Sequence, residues 1–150
     1  MKDSGQNRPY RKILVGYDDS DNAKRAPGKA IELAKMSGGE LTIVVAADTI
    51  SYAAHSMGHS YGVFHNDMVE HARNLLSEAS DSARQVVNRR TYGSVEQGRP
   101  ADMILAKASE IKADLIVVGR RGIRGIERFL LGSVSSSVVS HSECDVLVVK

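Results

Sequence analysis

Along this chain, short apolar runs alternate with apolar positions spaced three or four residues apart. The first run, "KILVGY" (12–17), is rich in β-branched residues and predicts a strand. "DDSDNA" follows, a cluster of turn and helix-cap residues. Ala23, Ala26, Ala30, Leu33 and Ala34 then recur at helical spacing and predict a first helix. Pro27 and Gly28 interrupt it, so that it either kinks there or starts late. "SGG" (37–39) stops it, because glycine accepts the left-handed conformation that closes helices. "ELTIVVAA" (40–47) predicts a second strand. Residues 48–65, "DTISYAAHSMGHSYGVFH", carry no clear period and read as a long loop. A long amphipathic helix is predicted over 66–87, with Met68, Ala72, Leu75, Leu76, Ala79 and Ala83 on one side.

The second half repeats the alternation. "RTYGSVEQG" holds a third, short strand, and Pro100 opens a helix through "ADMILAKASEI", since proline is at home in a first helical turn. "ADLIVVG" (113–119) is nearly all apolar, as a strand buried on both faces would be. Residues 133–140 predict a short helix and "DVLVVK" (145–150) a last strand. Strands alternating with helices imply βαβ units. The predicted fold is therefore α/β: a single doubly wound, parallel five-stranded sheet with helices on both faces, Rossmann-like. The 150 residues suit one domain, here 11–150, behind a polar, flexible tail of residues 1–10.

Composition narrows the class. At 42% hydrophobic and 25% charged, the chain can fill one ordinary core. Its net charge of +2 lacks the basic excess of a dedicated nucleic-acid binder, and no aromatic residues interleave with the basic ones. Cys144 is the only cysteine, which forbids an intrachain disulfide and suits a reducing compartment. With no partner base to activate it, it reads as a small buried residue. The polar start "MKDSGQNRPYRK" holds no signal-peptide core, and no apolar run nears the roughly 20 residues that span a bilayer. A cytoplasmic protein with neither nucleic acid nor membrane as partner is expected.

In open α/β sheets, ligands bind beyond the carboxyl ends of the strands, where strand order reverses. Crossovers of fixed hand allow the first and fourth strands to be central neighbours. Their loops, Gly16 to Asn22 and Gly119 to Ser133, would then face each other across a crevice. Without a Cβ, Gly119 and Gly122 let backbone N–H groups approach a ligand closely. Gly132 and Ser133 open the last helix, whose unpaired N–H groups and dipole favour an anion. Ser133 and Ser135 add hydroxyl donors. The same residues would equally serve a plain turn and a helix cap, so spacing alone leaves both readings open. A Rossmann fingerprint would set its glycines after strand one, and no P-loop lysine follows these.

Gly119-x-x-Gly122, nine residues, then Gly132-Ser133 resembles the nucleotide signature of the universal stress protein family, in its ATP-binding branch. The resemblance runs through "KILVGYDDSDNA", "VEQGRPADMIL", "ADLIVVGRRG", "LLGSVSSSVV" and "DVLVVK", nearly the whole domain. It implies the Rossmann-like fold of the adenine nucleotide alpha hydrolases and a nucleotide-responsive stress or regulatory module. It implies that Asp18 hydrogen-bonds adenine or the nearby ribose, beside Gly16 and Tyr17. By the same resemblance the backbone of Ala46 meets the adenine edge and Val118 packs under the base. Gly119 and Gly122 would lie along ribose and phosphates, and Gly132, Ser133, Val134 and Ser135 would hold the phosphate tail. Mg²⁺ would bridge the phosphate oxygens of ATP. Family members commonly form a homodimer through the last strand, and the alternating Val146, Val148 and Lys150 of an exposed edge suit such pairing.

Other features have plainer readings. Asp18 and Asp19 could serve as helix caps. Arg120, Arg121, Arg124 and Arg128 form a solvated face, from which Arg121 is the best placed to neutralise a triphosphate. His55 and His59 are four apart, but Gly58 and Gly62 argue against the helix that a metal pair would need, and a lid over the nucleotide fits that loop better. "SGGE" (37–40) follows a helix, the wrong end of the sheet for a phosphate loop. No histidine falls in either crevice loop and no lysine follows the glycines, so nothing is arranged for turnover. A slow ATP hydrolase, needing only a positioned water and a metal, is the enzymatic alternative. A cyclic or modified adenine nucleotide at the same site is the other.

Overall fold

Five runs pair as parallel strands: β1 (Lys12–Tyr17), β2 (Glu40–Ala47), β3 (Thr91–Gln97), β4 (Leu115–Gly119) and β5 (Asp145–Val149). The computed structural model describes residues 10–18, 25–50, 61–87, 90–120 and 131–150. Between the strands run α1 (Arg25–Ser37), α2 (Tyr61–Val87), α3 (Pro100–Ile111) and α4 (Ser133–His141). Strand order is β3-β2-β1-β4-β5. It is the doubly wound α/β sheet that the alternation predicts, with β1 and β4 as central neighbours.

The period-two alternation of the strands sorts the core into two layers. On one face, Ile13, Val15, Leu41, Ile43 and Val117 meet the alanine stripes of α1 (Ala26, Ala30, Ala34) and α2 (Ala79, Ala83). On the other, Leu14, Val44, Ile116 and Val118 meet Ile104 and Ala108 of α3 and Val138 of α4. Because helices cover both faces, β1 and β4 are apolar at nearly every position.

The described part of α1 begins at Arg25, which puts Pro27 in its first turn, where a missing N–H leaves no helical bond unmade. Gly38, at φ 65°, closes the helix in the left-handed conformation. The predicted loop over 48–65 is corrected at both ends. Thr49 and Ile50 are helical, and α2 starts at Tyr61, five residues before the periodic stretch. Its first turns turn Val63 and Phe64 outward, so no buried face was there to give the pattern away. Further along α2, Val69 is buried while Met68 is only partly so. Residues 51–60, with His55 and His59, and 121–130, with Arg124 and Arg128, lie outside the described residues.

Three polar ties join distant segments. Asp114, just before β4, accepts the backbone N–H groups of Arg11 (2.8 Å) and Lys12 (3.2 Å) at the start of β1. The Tyr10 hydroxyl donates to Asp145 (3.1 Å), and its ring packs against the core, although the polar tail was expected to run through residue 10. Lys107 of α3 bridges Glu96 of β3 (3.0 Å) and Glu110 (2.9 Å). Cys144 is half-buried, not buried, with its Sγ 3.5 Å from the Ser142 hydroxyl. Among the described residues, no helix is long and apolar enough to cross a membrane.

Candidate functional site

Strand order reverses between β1 and β4, so the chain leaves these two strands towards opposite flanks of the sheet. A cleft opens at their carboxyl ends, as such a reversal requires. Its floor is the α3-facing side of the sheet: Val44 and Ala46 from β2, Gly16 from β1, Val118 and Gly119 from β4. Pro100 and Ile104 of α3 make one wall, Val134 and Ser135 of α4 the other. Tyr17 and Asp18 close the rim where β1 ends.

Each wall has a local cause. An ideal Cβ on Gly16 would lie 2.5 Å from Cδ1 and 3.1 Å from Cγ1 of Ile104, so the bare strand lets α3 sit against β1. Pro100 starts α3 immediately beyond the end of β3, which brings that helix to the cleft. At the opposite wall α4 begins on Gly132, whose φ of −62° and ψ of 163° are extended. No side chain caps this helix. The N–H groups of Ser133, Val134 and Ser135 have no acceptor within the helix and, with its dipole, favour an anion. The Ser135 hydroxyl, expected as a ligand donor, instead donates to the carbonyl of Arg120 at 2.8 Å. The Gly132 N–H donates to that carbonyl as well, at 2.9 Å.

The enclosed cleft measures about 60 Å³, while a wider groove of about 550 Å³ opens at the amino ends of the strands, between Lys12, Glu40, Tyr92 and Lys112. Size favours the groove, but position and chemistry favour the cleft: it lies at the reversal and it alone of the two adjoins an uncapped helix start. It combines a largely apolar lining with backbone donors suited to an anion. Among the described residues, no group of three or more His, Cys, Asp or Glu is placed to hold a metal ion. His65, in the early turns of α2, hydrogen-bonds Gln97 at 3.0 Å.

Of the residues singled out in the sequence, Gly16, Tyr17, Asp18, Ala46, Val118, Gly119, Val134 and Ser135 come together in this cleft. Gly132 and Ser133 stand beside it at the start of α4. Arg121 and Gly122 lie outside the described residues. Val44, Pro100 and Ile104 were missed. Val44 shares a strand face with Ala46, so period two would have found it. Pro100 and Ile104 needed the knowledge that α3 leans over β1.

The universal stress protein family profile matches residues 9–150. A Staphylococcus haemolyticus protein assigned to the universal stress proteins is 37% identical over 146 residues, covering 94% of this chain and 85% of its own. Among solved structures, universal stress protein UspA from Lactobacillus plantarum superposes with a TM-score of 0.82 at 26% identity, over 94% of this chain and 98% of that one. A universal stress protein solved in complex with cAMP superposes with a TM-score of 0.68 at 31% identity, over 94% of this chain and 97% of its own. On the strength of this match over nearly its full length, the chain belongs to the universal stress protein family.

Proposed function

We propose that the cleft binds an adenine nucleotide, ATP, and that the protein is a cytoplasmic, nucleotide-responsive stress or regulatory module. One observation carries the reading: an apolar slot at the β1–β4 reversal lies directly beside the uncapped start of α4. Adenine would rest on the apolar surface to which Val118 and Ile104 both contribute, with its edge towards the backbone of Ala46 and Asp18 at the rim nearby. The phosphates then fall near the N–H groups of residues 133–135. The Ser133 hydroxyl is exposed and adds a donor there. Mg²⁺, when present, would be carried by phosphate oxygens and would neutralise their charge.

The relative solved with cAMP supports the adenine end and keeps a second ligand in view. A cyclic nucleotide shares the base slot with ATP and differs only in its demand on α4. Slow ATP hydrolysis is a property to be assayed and not one that the residues require. We also propose a homodimer through β5, which among the described residues pairs with β4 alone and presents half-buried Val146, Leu147, Val148 and Val149 at the sheet edge. A nucleotide that binds one conformation better than another shifts the population presented to a partner, which is how such a module would signal.

The test is direct. Freshly purified protein is denatured and any released nucleotide identified by mass spectrometry. ATP near one per chain supports the reading; a cyclic nucleotide replaces the ligand and keeps the site. No nucleotide released, and no binding on adding Mg-ATP, rejects it.

A further inference from the structure

The segment between β4 and α4 begins and ends in one knot of hydrogen bonds. The Arg120 carbonyl accepts the Ser135 hydroxyl at 2.8 Å and the Gly132 N–H at 2.9 Å, which fills both of its lone pairs. The Arg120 N–H donates to Val149 of β5 at 2.8 Å. Ser135 Oγ also lies 3.2 Å from the Gly132 carbonyl, and the residue is only 2% exposed. One buried hydroxyl and one backbone N–H therefore hold the first turn of α4 to the residue that follows β4.

We propose that Ser135 is a positioning residue for the phosphate arm of the nucleotide. This rests on the adenine-nucleotide reading of the cleft. The base would be gripped by β4 and α3, through Val118 and Ile104, whereas the phosphates would be gripped by the start of α4. A ligand that spans both grips binds well only if the two are held at a fixed separation, because a misplacement on the ångström scale forfeits oriented contacts. The Ser135–Arg120 bond, beside the Gly132–Arg120 bond, tightens that separation. Ser135 thus contributes by holding other donors in place, with its own proton already committed to protein.

The experiment compares ATP and adenosine binding by calorimetry in the wild type and in Ser135→Ala. The substitution leaves the Arg120 carbonyl bonded to Gly132, so the protein folds. ATP affinity falls roughly tenfold, the worth of one well-placed hydrogen bond, while adenosine affinity stays within about twofold. Amide exchange at Gly132 in nucleotide-free protein becomes faster in the variant, and Ser135→Thr, which keeps the hydroxyl, restores ATP binding. Equal affinities in wild type and Ser135→Ala, or an equal loss for ATP and adenosine, overturns the positioning role and leaves the nucleotide site standing. A wild type that binds neither ligand overturns the nucleotide reading and this inference with it.

Discussion

The α-carbon of Gly16 faces Ile104 so closely that a single added methyl would sit 2.5 Å from the Ile104 Cδ1 atom. The clash is with the far end of a flexible side chain, so Ile104 can rotate away, and because Ile104 lines the cleft its rotation reshapes that wall. Gly16→Ala is therefore expected to cost the fold only about 1 kcal/mol, at the low end for overpacking. Nucleotide affinity falls by more, roughly tenfold for each 1.4 kcal/mol of lost slot. Thermal melts and calorimetric titration of the same preparation separate the two effects.

Gly132 gives a contrasting case. Its extended backbone is open to any residue, so no conformational strain follows from replacing it. Gly132→Val should melt within about 1 kcal/mol of the wild type, as a substitution with no named structural penalty does. Its β-branched side chain nonetheless stands beside the N–H groups proposed to meet phosphate. ATP binding should be lost and adenosine binding kept, which a paired titration reads directly.

Asp114 carries a test of stability at the far end of the sheet. Its carboxylate receives the N–H groups of both Arg11 and Lys12. Removing it in Asp114→Ala hands two exposed backbone donors to water, at about 0.5–1.5 kcal/mol. Chemical denaturation should show the loss. ATP affinity should not change, because the cleft is at the opposite ends of the strands.

The Glu96–Lys107 pair predicts a pH dependence. Burial raises the Glu96 pKa, but hydrogen bonds from Lys107 and Ser94, together with the Lys107 charge, outweigh it, so the carboxyl is held below its usual range. Lys107 is held above its usual range by its hydrogen bonds to Glu110 and Glu96. For Glu96 the folded value is the lower one, so its stabilisation is complete above the ordinary carboxylate range and lost as pH falls through the folded value. For Lys107 the sign reverses: the stabilisation is complete below the ordinary lysine value and lost as pH rises through the folded one. With side chains 29% and 17% exposed, the pair is worth about 0.5–1 kcal/mol after screening. Glu96→Gln should lower stability at neutral pH by that amount and match the wild type in acid.

The sequence carried the sheet because buried strands must be apolar: Ile13, Leu14 and Val15, like Ile116 and Val117, are wholly enclosed and could be little else. The glycine and serine positions of the cleft were legible for a similar reason, since close approach and helix starts restrict residue type. What escaped detection had no such restriction. Val63 and Phe64 are apolar yet exposed, so they blurred the start of α2. Ile104 looks like any core isoleucine until α3 is laid across β1. The Ser135 hydroxyl could point at a ligand or at a carbonyl, and fifteen residues separate it from the partner it takes.

Titration of nucleotide-free protein with Mg-ATP in a calorimeter tests the central claim most directly. The account predicts saturable binding at one site per chain, abolished by Gly132→Val and weakened by Gly16→Ala in variants that still melt cooperatively. Absence of heat together with an unchanged melting temperature at saturating ATP would contradict it, and the glycines between β4 and α4 would then only shape a turn.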